Sequence, residues 1–314
     1  MNRILVIRGG AIGDFILTLP ALKAQRDAYP EAHLEILGYK HIIALAENRF
    51  YAQATRSIES AQLASFFGKR SELSPELVGY FASFDLIVSY LYDPDAIFEA
   101  NLRRCGIRKF VQGPAKVLPG VHAARQLAQP IENLGIPVHQ LAAKLFPSFE
   151  DRHCAAQFLT GLTPPLVVFH PGSGSEQKNW PIENWMHLGD ELLKTFTRSL
   201  LIISGEADFT QIERLESVWN TSRIRFAKNL SLPTLAGILS NMIFVGHDSG
   251  ISHLAAAAGA RCILLFGPTD PATWAPLNES VRVLRAPNED LRKLEIDTVR
   301  AAVDQELIRI GIRT

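Results

Sequence analysis

An α/β protein of two halves, each a parallel sheet with crossover helices, is what this sequence predicts, on three observations. Short β-rich apolar runs alternate with helical periodicities along the whole chain, the pattern left by strands joined through helices. The 314 residues exceed the usual single domain and suit two of roughly 150 residues each. A glycine-containing segment with one acidic residue stands twice where a strand hands over to a helix, at Gly9–Asp14 and at His247–His253.

In the first half the strands are expected at Ile4–Ile7, Leu34–Leu37, near Ser57–Ile58, at Leu86–Ser89 and at Phe110–Val111, followed by a helix over Val121–Leu134. After Pro164-Pro165 the rhythm restarts. Strands at Leu166–His170, Leu200–Ser204, Ile224–Phe226, Ile243–Gly246 and Cys262–Phe266 enclose helices at Ile182–Thr195, Asp208–Trp219, Pro233–Ser240 and Ile251–Ala258. A last helix is expected over Ile296–Ile310, with apolar residues at 296, 299, 303 and 307 on one face. Gly161 and two prolines interrupt the periodicity at Leu159–Pro165, which places the division between domains 1–160 and 161–314.

Composition narrows the function. Lysine plus arginine (32) balances aspartate plus glutamate (32), which removes the electrostatic case for a nucleic-acid partner and leaves any anionic ligand to be held locally. Cys105, Cys154 and Cys262 are scattered and odd in number, so a reduced, cytoplasmic setting is expected rather than a disulfide framework. The first residues enter an apolar strand that breaks at Arg8, too short for a signal peptide, and the longest apolar stretch, Leu254–Phe266, contains Gly259 and Arg261 and is too short to span a bilayer. A peripheral contact with the inner membrane stays open. No zinc-type histidine pattern, P-loop or nucleophile elbow is present, and neither a metal nor a cofactor is required.

Gly9–Asp14 invites comparison with the dinucleotide fingerprint, but Arg8, Gly10 and Gly13 occupy the three glycine positions and the first is therefore lost. What the segment supplies is Asp14 in the first turn of a helix at the carboxyl end of the first strand. A carboxylate there caps the helix and meets its dipole, while the glycines strip side chains from around it and leave it reachable as a base.

His170–Pro181 is a polar loop in which Gly172 and Gly174 allow close approach of a phosphate, Ser173 and Ser175 add hydroxyls and Lys178 a point charge. Trp180 and Trp185 suggest that the loop is pinned. Asp248–His253 opens a helix with the amides of Gly250, Ile251 and Ser252 directed outward, an anion site by construction. Asp248 caps that helix or meets a sugar hydroxyl; His253 donates to phosphate or is a core histidine. Thr269 and Asp270 contact a donor sugar or form a capped turn, and Glu206, after Ser204-Gly205, is placed to accept from ribose hydroxyls.

Three collinear segments carry a family resemblance: Ile7–Leu22 with Gly13-Asp14 and Thr18-Leu19-Pro20-Ala21-Leu22, His170–Trp185, and Gly246–Pro271 with Asp248-Ser249-Gly250 and Gly267-Pro268-Thr269-Asp270-Pro271. Together they resemble the heptosyltransferases of glycosyltransferase family 9. The resemblance implies a GT-B fold, two Rossmann-like domains with parallel sheets facing a central cleft, acceptor on the first and ADP-sugar donor on the second, with the final helix often crossing back to the first domain. It implies inverting, metal-independent transfer of heptose from ADP-L-glycero-β-D-manno-heptose to a lipopolysaccharide core acceptor, with Asp14 as catalytic base. Lys178 and the Gly250–Ser252 amides then stabilise the departing ADP. Gly13, Ser173, Gly174, Glu206, Asp248, Ser249, Gly250, Ile251, His253, Thr269 and Asp270 are the donor-side positions that follow.

The region between about Tyr39 and Arg125 carries no matching motif, and Ala286-Pro287-Asn288-Glu289-Asp290 replaces a cysteine-containing segment common in relatives. Arg56, Lys116, His122 and Arg125 are the cations there that suit an acidic or phosphorylated acceptor. Two other readings share these motifs: a GT-B enzyme for another nucleotide sugar, and a non-catalytic nucleotide-sugar-binding protein. A dehydrogenase is the remote third. The lost first glycine predicts no saturable binding of NAD by calorimetry; a saturable NAD isotherm would restore the dinucleotide reading.

Overall fold

The computed structural model describes residues 1–194, 198–205 and 209–312. They form two compact units, Met1–Leu141 and Ala142–Thr314.

Unit 1 is built on β1 (Arg3–Arg8), β2 (His33–Gly38), β3 (Ala54–Ser57), β4 (Leu86–Ser89) and β5 (Phe110–Gln112), in the order β3-β2-β1-β4-β5. All pairs are parallel, with Ile4 opposite Leu34 on one side and Leu86 on the other. The central strands are near-continuous apolar runs because helices cover both faces. On one face Leu5, Ile7 and Ile87 pack with Phe66, Phe81 and Phe98, the last two carried by α3 (Pro75–Ala82) and α4 (Ile97–Arg104). The others are α1 (Ile12–Ala28), α2 (Lys40–Ile43) and α5 (Ala123–Glu132), and α1 packs on α5.

Unit 2 carries six parallel strands, β6 (Leu166–His170), β7 (Ser199–Ser204), β8 (Ile224–Lys228), β9 (Ile243–His247), β10 (Arg261–Phe266) and β11 (Val281–Arg285), in the order β11-β10-β9-β6-β7-β8. Its helices are α6 (Phe149–Leu159), α7 (Ile182–Leu193), α8 (Phe209–Val218), α9 (Leu232–Leu239), α10 (Gly250–Ala257), α11 (Pro271–Trp274) and α12 (Ile296–Arg309). No helix among the described residues is long and apolar enough to cross a membrane; the apolar stretch Leu254–Phe266 divides between α10 and β10.

The division between units falls at Leu141/Ala142 rather than after residue 160. The reason is α6. Ser148 caps it by accepting from the Asp151 amide at 3.1 Å while the Asp151 carboxylate accepts from the Ser148 amide at 2.7 Å, a reciprocal capping box. The helix so started packs on α9 of unit 2, and Gly161 and the prolines that suggested a linker merely end it. Val299, Val303 and Leu307 of α12 are buried in the core of unit 2 with Leu188 and Leu192 of α7, the apolar face that the periodicity predicts.

The α6–α9 contact depends on one missing side chain. A Cβ at Gly237 would lie 2.7 Å from the Asp151 carbonyl oxygen and 3.1 Å from the Ala155 Cβ, and a backbone atom cannot rotate away. Gly237→Val is expected to destabilise the protein by about 1–3 kcal/mol in urea unfolding through overpacking; an unchanged midpoint would mean that α6 is not held at this distance.

Candidate active site

In unit 1 the chain winds from β1 to β2 and β3 on one side and to β4 and β5 on the other, so the loops after β1 and β4 part at their carboxyl ends. Such a switch point is where open α/β sheets bind ligands. The loop after β1 is Gly9–Ala11, and Gly10 holds a left-handed φ of 91°. A Cβ at Gly10 would come within 2.6 Å of Asp14 Oδ2, so only glycine lets the loop run this close to the carboxylate. Oδ2 accepts from the Ala11 amide at 2.9 Å, which realises the cap of α1. The carboxylate nonetheless keeps 35% of its side-chain surface exposed, and capping and reachability coexist.

Arg8, in the position of the lost glycine, lies behind this carboxylate. Burial pulls its guanidinium below its ordinary pKa, against the smaller opposing pull of the Asp14 carboxylate. Sequence reading noticed Arg8 only as a defect in a fingerprint, although a cation in that place is the signal.

In unit 2 the corresponding switch lies between β6 and β9, where His170 pairs with Gly246 in register. The loop after β6 is tied to the end of β9 by the buried Trp180 amide, which donates to His247 Nε2 at 2.8 Å. Trp180 Nε1 donates to the Leu294 carbonyl at 2.9 Å, and the Trp185 ring meets the His247 imidazole edge-on at 5.4 Å. Both tryptophans are fully buried, and the loop is pinned as its residues suggest. His247, absent from the expected site, is what it is pinned around.

On this frame Lys178 Nζ donates to Asp248 Oδ2 at 2.8 Å, with side-chain exposures of 31% and 10%. That ion pair joins the two loops of the switch. Ser249 caps α10 by accepting from the Ser252 amide at 3.3 Å, and its hydroxyl lies 3.4 Å from His170 Nδ1. Ser252 Oγ donates to the His247 carbonyl. The first N–H groups of a helix lack intrahelical acceptors, and with Ser252 engaged in the cap, Gly250 and Ile251 supply the amides at this start.

Several expectations change accordingly. Asp248 does not cap the helix; Ser249 does, and Asp248 holds Lys178. The Ser252 amide is not directed outward. Ser173 is buried and ties its own loop, donating toward the Ser175 carbonyl (2.9 Å) and Asn179 Oδ1 (2.8 Å), whereas Gly174 is exposed. His253 is buried within α10. Both Asp270 oxygens serve the turn into α11, accepting from the Ala272 amide (3.0 Å) and the Thr273 hydroxyl (3.1 Å). Thr269 Oγ1 is buried with no hydrogen-bond partner among the described residues, and Gly13 stands in the first turn of α1. Glu206 lies outside the described residues.

The four candidate acceptor cations have local occupations. Arg56 stacks on the Tyr80 ring at 4.1 Å and Lys116 on Tyr92 at 4.6 Å. His122 caps α5, accepting from the Ala124 amide through Nδ1 at 3.1 Å, and Arg125 pairs with Glu132 at 2.6 Å. Arg56 and Lys116 meet rings distant in sequence, whereas His122 and Arg125 are held at α5 itself.

Comparison with known proteins locates this arrangement. The model of "Glycosyltransferase family 9 (heptosyltransferase)" matches residues 108–302. Lipopolysaccharide heptosyltransferase 1 of Escherichia coli O18:K1:H7 is 28% identical over 159 residues, 49% of this chain and 48% of that protein, so the match spans about half the length of this curated relative. The crystal structure of the family 9 glycosyl transferase from Veillonella parvula superposes with a TM-score of 0.81 at 19% identity, covering 98% of this chain and 97% of the other. The E. coli ADP-heptose lipopolysaccharide heptosyltransferase II does so with 0.80 at 17% identity, covering 99% and 100%. The fold is GT-B, as the motif resemblance implied.

The left-handed Gly10 and its contact with Asp14 make a direct test. Gly10→Ala is expected to cost about 1–2 kcal/mol in urea unfolding, since a side chain is disfavoured at positive φ; a variant as stable as the parent would show that the loop does not hold this conformation.

Proposed function

Because the chain belongs to glycosyltransferase family 9, we propose that it transfers heptose from ADP-L-glycero-β-D-manno-heptose to a lipopolysaccharide inner-core acceptor, with inversion, without a metal, and with Asp14 as the general base. The observation that carries this reading is the pairing, at the switch point of unit 2, of Lys178 with Asp248 beside the start of α10. That combination suits a diphosphate. Relatives whose names include lipopolysaccharide heptosyltransferase, and one named for ADP-heptose, support the donor and acceptor classes.

The reaction follows from the groups present. The acceptor hydroxyl loses its proton to the Asp14 carboxylate as its oxygen forms a bond to the anomeric carbon. The bond from that carbon to the diphosphate oxygen breaks on the opposite face, and its electron pair leaves with ADP. Lys178 has three N–H donors; the one engaged by Asp248 fixes the ammonium, and two remain for the growing charge on the diphosphate. The amides of Gly250 and Ile251 add preorganised dipoles there. Metal-independence has its physical basis in this cation and these dipoles, which neutralise the leaving group in place of a divalent ion.

Asp248 in this scheme orients Lys178 rather than meeting the sugar, and Ser249 acts through the cap. Thr269, with its hydroxyl unpartnered among the described residues, and Gly174, exposed in the loop that carries Lys178, are the remaining positions suited to the donor. Action on a lipopolysaccharide precursor suits a cytoplasmic protein with a peripheral contact at the inner membrane, next to its acceptor.

Asp14→Ala separates binding from chemistry. It is expected to retain ADP affinity by calorimetry and to lose about 10²–10⁴-fold in turnover of ADP-heptose with heptose-free lipopolysaccharide core, the usual contribution of a positioned base. Undiminished turnover would remove Asp14 from the role.

A further inference from the structure

Arg8 closes β1 and points its guanidinium into unit 1, with 4% of its side chain exposed. Two of its nitrogens meet Asp14. Nε lies 3.3 Å and Nη2 3.1 Å from the Asp14 carbonyl, and Nη2 also stands 3.5 Å from Asp14 Oδ1. Nε donates in addition to Thr18 Oγ1 at 3.0 Å, and Thr18 Oγ1 itself donates to the Asp14 carbonyl at 2.8 Å. On its far side the guanidinium reaches the Tyr90 carbonyl at 3.5 Å and packs over the Tyr90 ring at 5.8 Å. Tyr90 is itself anchored, its hydroxyl donating to the Leu127 carbonyl at 2.9 Å.

Resting on the reading of Asp14 as the base, we propose that Arg8 is a positioning residue for it: a buried guanidinium that grips the Asp14 backbone and carboxylate together and holds the carboxylate in one orientation for proton removal. The two oxygens are then held from different sides, Oδ2 by the Ala11 amide and Oδ1 by Arg8. The planar fork matters, because its donors diverge to a carbonyl, a hydroxyl and a carboxylate at once, whereas an ammonium is a single point. Buried behind the carboxylate, Arg8 acts through Asp14 and not on substrate. The same side chain fills the place of the first glycine of a dinucleotide site.

The test is a double-mutant cycle in the full-length protein, read by kcat, KM for ADP-heptose and ADP affinity, with heptose-free lipopolysaccharide core as acceptor. Arg8→Gln is expected to lower kcat by about ten- to a hundredfold, the scale of a misplaced catalytic group, with KM and ADP affinity within about twofold. Arg8→Lys is expected to recover part of that loss. In the Asp14→Ala background Arg8→Gln is expected to cause no further loss, since a residue acting only through another has nothing left to position. Unchanged kcat in Arg8→Gln, or an equal loss in both backgrounds, overturns the proposal. If Arg8→Gln does not fold, Arg8→Lys carries the same cycle: a drop confined to the Asp14 background supports it, and no drop or an equal drop overturns it. Failure of the Asp14 reading shows separately, as undiminished turnover in Asp14→Ala alone.

Discussion

A parallel strand releases its chain only at its carboxyl end, into a loop that turns to one face of the sheet. Where two neighbouring strands send their loops to opposite sides, a crevice opens that no side chain of the sheet fills. Both units obey this constraint, between β1 and β4 and between β6 and β9, and Asp14 and the Lys178–Asp248 pair stand at these two places. The helices on either face, the apolar strands and the caps serve to hold those loops still.

How the loops are held differs. In unit 2 the His170–Pro181 segment is long, and a long polar loop has entropy to lose. It is fixed by buried polar bonds, Trp180 to His247 and to Leu294, with Trp185 packed against the same imidazole. Buried donors and acceptors are costly when unpaired, so each pairing specifies one arrangement of the loop, and Lys178 arrives beside Asp248 as a consequence. In unit 1 the loop is short and glycine supplies the conformation instead: a left-handed Gly10 and a carboxylate that reaches back to the Ala11 amide.

The strands were largely legible because burial on both faces leaves apolar runs, and β4 and β6 fall on the expected residues. What escaped were elements with no such imprint. The edge strand β11, Val-Arg-Val-Leu-Arg, is only half-buried along most of its length, and α6 hides behind the Gly161 and proline punctuation that follows it. The two switch points were legible too, since glycines and an acidic residue follow the strand end at each. The partners were not. Asp248 lies 70 residues from Lys178 in sequence, and the Tyr80 ring under Arg56 is brought there only by tertiary packing.

The two switch points share a topology yet cannot bind the same thing, and the reason lies in what stands at each helix start. At α1 the first turn contains its own carboxylate, which accepts from the Ala11 amide and faces the buried Arg8. An anion approaching there would meet a negative charge where the helix dipole would otherwise welcome it. At α10 the cap is the neutral Ser249 hydroxyl, and the nearby Asp248 is paired with Lys178. That start keeps both amides and a cation. On the proposed function one crevice takes the proton and the other the diphosphate, and the difference between them lies in a few residues after β1, β6 and β9.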